Sequence, residues 1–107
     1  IRAAKVAAQV ADADYEQGRL SMNAKVRQLT ATHQELTRAL DYFKSSGLQN
    51  AQTISRTAQH QFDDGEINFL DYVLLVNQSL SISNNYLDTL EQLNQITIEL
   101  NYLSSHE

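Results

Sequence analysis

Cysteine, proline and tryptophan are absent from these 107 residues, and glycine occurs only three times. Without cysteine there is neither a disulfide framework nor a thiolate metal site. Without proline, nothing in the chain forbids long uninterrupted helices. Positive charge is also scarce. The eight Lys and Arg are scattered, the formal net charge is −5 and the pI is near 5.0. That balance argues against a nucleic-acid partner, which needs massed basic residues. No apolar run approaches the roughly 20 residues of a membrane-spanning helix; the longest is Tyr72 to Val76. The chain starts at Ile1 without methionine and without a signal sequence, and is expected to be an excised piece of something longer.

What is present favours helix. Alanine, leucine, glutamine and glutamate supply much of the chain, and its length suits one structural unit. In the second half, apolar positions keep heptad spacing along Tyr72, Leu75, Ser79, Ile82, Tyr86, Thr89, Leu93, Ile96, Leu100 and Leu103. Alternating steps of three and four mark knobs-into-holes packing. A second seam runs beside it through Phe69, Val73, Val76, Leu80, Ser83, Leu87 and Leu90, then Asn94, Thr97 and Asn101. Two adjacent seams predict more than one neighbouring helix, and therefore self-association.

The first half carries one stripe: Tyr15, Met22, Val26, Leu29, His33, Leu36, Leu40, Phe43, Gly47, Ala51, Ile54, Ala58 and Phe62. Steps of four and four from Phe43 to Ala51 form a stutter that relaxes the supercoil. Ser45-Ser46-Gly47 lies within it, so the spacing predicts a long helix with a weak point near Gly47, or else a break near 45–48. The alanine-rich turns before Tyr15 are expected to fray.

Between the halves lies Gln61-Phe62-Asp63-Asp64-Gly65-Glu66-Ile67-Asn68-Phe69-Leu70-Asp71-Tyr72. Asp63 or Asp64 can cap a helix end, Gly65 can take positive φ, and Glu66 then falls in the first turn of the next helix. The predicted fold is all-α: a long antiparallel helical hairpin with a helix over about 3–62, a turn at 63–66 and a helix over about 67–103. A first arm of roughly 60 residues would be about 90 Å long and a second of roughly 40 about 60 Å. Residues 1 to about 22 therefore lack a partner within the chain.

Such a hairpin has little cross-section for a catalytic pocket, and no nucleophile, acid–base or phosphate-loop arrangement stands out. No enzyme activity and no cofactor are expected. His60 precedes Asp63 and Asp64 by three and four residues, a spacing that could pair a nitrogen with a carboxylate on a metal. Structural metal sites need three or four ligands, so a solvated helix end is the preferred reading and no metal is assigned. His33 lies on the apolar stripe as a seam residue, and His106 in a terminal tail. The tip residues Phe62, Asp64, Gly65, Glu66, Asn68 and Asp71 are the candidate partner-binding set, with carboxylates suited to basic groups. The other reading of the same residues is that they cap helices and keep the turn soluble.

The turn and the following helix resemble the outer-membrane efflux protein family, the TolC-like exit ducts of tripartite pumps. The residues that carry the likeness are Phe62, Gly65, Ile67 and Asp71, followed by Tyr86-Leu87, Asn94, Ile98, Leu100 and Leu103. A subgroup found with heavy-metal efflux pumps of the CzcA type is similar in Tyr42…Gly47-Leu48-Gln49-Asn50-Ala51…Ile54 and in Gly65-Glu66-Ile67-Asn68-Phe69. It is similar also in Asn77-Gln78-Ser79-Leu80 and in Asn94…Ile98-Glu99-Leu100-Asn101-Tyr102-Leu103. Ile1-Arg2-Ala3-Ala4-Lys5 looks like the point where such a chain leaves its membrane strands. The β-strands and first helical repeat of that family are not in this sequence. The resemblance implies a periplasmic helical barrel, a trimer, no enzyme activity, and a tip that meets the membrane-fusion adaptor. It also implies an indirect link to an inner-membrane pump, with heavy-metal ions as cargo. Two alternatives stand beside it. One is the adaptor's own helical hairpin, whose tip carries a basic and a hydroxyl residue around a leucine where this one is acidic. The other is a generic structural coiled coil.

Overall fold

The structure is a computed structural model that describes residues 1–105; His106 lies outside them. Among the described residues there are helices and one reversal, with no strand. Helix α1 spans Arg2–Tyr42 and runs through a π-helical turn, Phe43–Gly47, into α2, Leu48–Asp63. After the reversal, α3 spans Phe69–Ser105. The chain is all-α and folds into a hairpin measuring 90 × 23 × 15 Å.

The seams explain the pairing. Every residue of the first α3 seam, from Tyr72 to Leu103, is half-buried. On the opposite arm the stripe from Met22 to Phe62 is half-buried or buried throughout, with Leu40, Gly47, Ala51 and Ala58 the most enclosed. Two helices cannot surround a side chain, so among the described residues no large one is fully buried. Small residues on α2 bring the backbones close: Ser79 Oγ on α3 donates to the Ala51 carbonyl at 2.8 Å. Threonine is accommodated in these long helices by back-bonding. Thr30, Thr37, Thr53, Thr89 and Thr97 each donate to the carbonyl four residues earlier.

Residues 1–21 are all exposed, Tyr15 included, because the last turns of α3 reach only the level of Lys25 and Val26. There Lys25 Nζ stands 3.4 Å from Glu99 Oε1. An exposed pair of this kind is worth at most about 1 kcal/mol. A shallow groove of about 290 Å³ beside it is lined by Val26, Leu100, Asn101 and Ser104.

Near Gly47 the first arm does not break; it widens. Leu48 N–H donates to the Phe43 carbonyl five residues back, and Ser45 and Ser46 Oγ each donate to the Tyr42 carbonyl at 3.3 Å. The π turn takes up one extra residue, so the stretch from Phe43 to Ala51 covers the ground of one heptad. The four-and-four spacing thus yields a local bulge rather than a helix end. Gly47 itself is helical, with φ −59° and ψ −49°. Its need for glycine is spatial. A Cβ would sit 3.0 Å from Phe43 Cδ1, whose ring lies edge-on against Tyr86 at 6.1 Å.

Two expectations follow from this turn. Gly47→Leu should cost about 2–3 kcal/mol by overpacking, read by urea unfolding. Deleting Ser45 should convert the turn to plain α-helix and leave helix content and melting temperature nearly unchanged by circular dichroism. A large loss of stability on deletion would show that the hairpin requires the bulge.

Candidate functional site: the acidic tip

The reversal is two caps placed back to back. At the end of α2, Glu66 N–H donates to the Gln61 carbonyl at 2.8 Å and Gly65 N–H to the Phe62 carbonyl at 3.1 Å. Gly65 takes φ +75°. These are the two bonds and the left-handed residue of a Schellman cap. Asp64 is the last half-helical residue, and its N–H reaches the His60 carbonyl at 2.9 Å. On the other side Asn68 Oδ1 accepts the Asp71 N–H at 2.8 Å, the N-cap bond of α3.

This corrects the place of Glu66. The Schellman cap uses Gly65 and Glu66, so α3 starts only at Phe69, and Asp71 is its first-turn carboxylate. The sequence did hold the signal: an asparagine just before an apolar-periodic run, with an acid in the first turn, marks a helix start.

Beneath the turn three rings pack together. Phe62 stacks on Tyr72 with centroids 4.9 Å apart and meets Phe69 edge-on at 6.2 Å. Tyr72 Oη donates to Gln59 Oε1 at 2.9 Å, and Gln59 Nε2 donates to Asp63 Oδ1 at 2.9 Å. This chain ties α3 to α2 across the tip and holds the Asp63 carboxylate back along its own helix. Sequence reasoning did not single out Gln59. It is one glutamine among many, and no spacing distinguishes it.

The six candidate residues divide by what they do. Phe62 is half-buried in the ring cluster, Asn68 caps α3, and Gly65 supplies the left-handed backbone. Asp64, Glu66 and Asp71 are exposed, and among the described residues their carboxylates have no hydrogen-bond or ion-pair partner. The fold thus brings three unpaired carboxylates onto one framework fixed by caps and rings. Such a surface attracts cationic groups, with a pull that weakens as salt rises. His60 is exposed nearby, but among the described residues no three His, Asp or Glu side chains gather as a metal site would need.

Comparison with protein-family models, curated proteins and solved structures returns no match for this chain.

A valine at Gly65 would have to hold φ +75°, although nothing lies within 4 Å of the added Cβ. Gly65→Val should therefore cost about 1–3 kcal/mol through backbone strain alone. Gly65→Asn should recover much of that loss, because asparagine tolerates the left-handed region. Chemical denaturation of the two variants reads this directly. If both matched the parent chain, strain would not be the reason for glycine here.

Proposed function

We propose that this hairpin is a periplasmic helical segment of a TolC-like outer-membrane efflux duct, and that its tip docks the membrane-fusion adaptor of a tripartite pump. The observation that carries the reading is the tip. Asp64, Glu66 and Asp71 stand exposed and unpaired, while the backbone beneath them is fixed by the Schellman cap at Gly65 and the Asn68 cap. A surface whose geometry is settled before its partner arrives loses little freedom on binding. Its charge suits an adaptor tip that carries basic residues. The rod shape adds support, since a hairpin 90 Å long sets its tip far from its other end.

The apolar residues of α3 support the same reading. A barrel of hairpins needs helices that pack on two sides, and Leu70, Leu74, Leu80 and Leu87 remain exposed in this one. Heavy-metal ions as cargo rest on the residue likeness alone, from Tyr42 through Leu103, and no ligand set for the ions is proposed in this segment.

A pull-down of this chain with adaptors from CzcA-type systems tests the proposal. Capture of an adaptor, lost on charge reversal at the tip and weakened by high salt, is the expected result. Failure of every such adaptor to bind the chain would favour a generic structural coiled coil.

A further inference from the structure

Of all the aspartates and asparagines in the chain, Asp64 alone precedes a glycine. Among the described residues only Asp64 and Asn68, of these two types, lie outside the helices. The Asp64 carboxylate is exposed and makes no hydrogen bond or ion pair there, whereas Gln59 holds the neighbouring Asp63 carboxylate at 2.9 Å. Across the peptide bond, Gly65 has no side chain to shield its nitrogen. Nothing lies within 4 Å of the place a Cβ would take.

We infer that the Asp64–Gly65 bond is a site of aspartyl isomerisation, and that the Schellman cap gates it. In that reaction the Gly65 nitrogen attacks Asp64 Cγ. The new N–Cγ bond closes a five-membered imide, and the nitrogen's proton leaves with the carboxyl hydroxyl as water. A water molecule then adds back at one of the two imide carbonyls. Cleavage between nitrogen and Cγ restores aspartate. Cleavage between nitrogen and the main-chain carbonyl carbon of Asp64 leaves an isoaspartyl linkage and a free α-carboxylate. One water departs and one returns, so the step needs no oxidant, reductant or further reactant.

The folded turn keeps the two partners apart. Gly65 N–H is engaged with the Phe62 carbonyl at 3.1 Å, and Asp64 is held at ψ −3°. Ring closure needs Asp64 Cβ eclipsed with the Gly65 nitrogen about the Cα–C bond, but at ψ near zero the Asp64 nitrogen takes that place. The imide therefore forms only when the turn opens, as local unfolding allows. The product has one extra main-chain atom between Asp64 and Gly65. That spoils the register of the Gly65 and Glu66 cap bonds, and it sets the carboxylate on Cα at the negative end of the α2 dipole. A single opening thus leaves a lasting mark on the tip.

The chemistry requires only the turn, so the inference does not rest on the duct reading, and a chain that binds no adaptor leaves it standing. This chain is incubated folded and in guanidinium chloride, at one pH and temperature. Isoaspartate is then located by peptide mapping and counted by enzymatic methyl transfer. It should accumulate at Asp64 in both samples, and roughly five- to thirtyfold more slowly in the folded one, the effect of two ordinary hydrogen bonds holding the turn shut. Asp64→Glu should remove the signal from both, because glutamate must close a less favourable six-membered ring, and Asp63→Glu should leave it. Tyr72→Phe deletes the hydrogen bond to Gln59 beneath the turn and keeps the ring, so it should speed the folded reaction alone. Isoaspartate forming first at another residue, or a signal that survives Asp64→Glu, would overturn the site. A folded rate equal to or above the denatured one would overturn the gate.

Discussion

Replacing Ala58 by leucine is expected to lower the unfolding free energy by about 2–3 kcal/mol and to open the tip half of the hairpin. Ala58 is 0% exposed and Ala51 3%, and among the described residues no large side chain is fully enclosed. At both points small residues let α2 and α3 pack without a gap, and at Ala51 the backbone carbonyl accepts the Ser79 hydroxyl at 2.8 Å. A leucine at 58 has no void to fill, so it must push α3 away. The displacement would strain the Tyr72 to Gln59 hydrogen bond one residue along and the Phe62–Tyr72 stack above it. A two-helix unit has few other contacts to absorb the loss, and stabilities of small domains are only a few kcal/mol to begin with. Ala31→Leu, on the exposed side of α1, is the control and should change stability by less than about 0.5 kcal/mol. Urea unfolding followed by circular dichroism checks both. If Ala58→Leu proved neutral, the two arms would have to pack more loosely than the Ala51 and Ala58 contacts imply.

Much of this hairpin was legible in the sequence, and the reason is periodicity. A heptad row such as Tyr72 to Leu103 can be satisfied only on one face of a helix, and every member of it packs against the first arm. The mismatch of the arms followed from rise per residue, and residues 1–21 are indeed uncovered by α3. What spacing could not reveal was how the helix would absorb the four-and-four step at Phe43, Gly47 and Ala51. A stutter, a break and a π bulge all fit the same letters. The choice is made by local sterics, the Phe43 ring against Tyr86 and the bare Cα of Gly47, which depend on the partner helix. At the tip the acidic character was plain, but the division of labour was not. Glu66 was expected in the first turn of α3 because acids favour that place, whereas the Schellman bonds claim it for the turn and leave the place to Asp71. Tip carboxylates look the same in sequence whether they meet a partner or only water.

Reversing charge at Asp64 and Glu66 is the experiment that separates those two cases. On the docking proposal, Asp64→Lys with Glu66→Lys should weaken adaptor crosslinking and efflux while leaving helix content nearly unchanged. The two side chains are exposed and make no hydrogen bond or ion pair among the described residues, so the fold loses nothing directly when they change. On the docking proposal, each reversal would replace an attraction to a basic adaptor group with a repulsion. Across an interface such like-charge contacts cost several kcal/mol. The backbone cap does not depend on either side chain, since its bonds run from the Glu66 and Gly65 N–H groups to the Gln61 and Phe62 carbonyls. Stability of the hairpin should therefore shift by less than about 0.5 kcal/mol, as expected of surface substitutions. Asp63→Lys provides the contrast: it removes the carboxylate that Gln59 holds, and should disturb the Gln59–Tyr72 link across the tip more than it disturbs docking. Unchanged crosslinking and efflux in the Asp64, Glu66 double variant would mean that the carboxylates only keep the turn in solution.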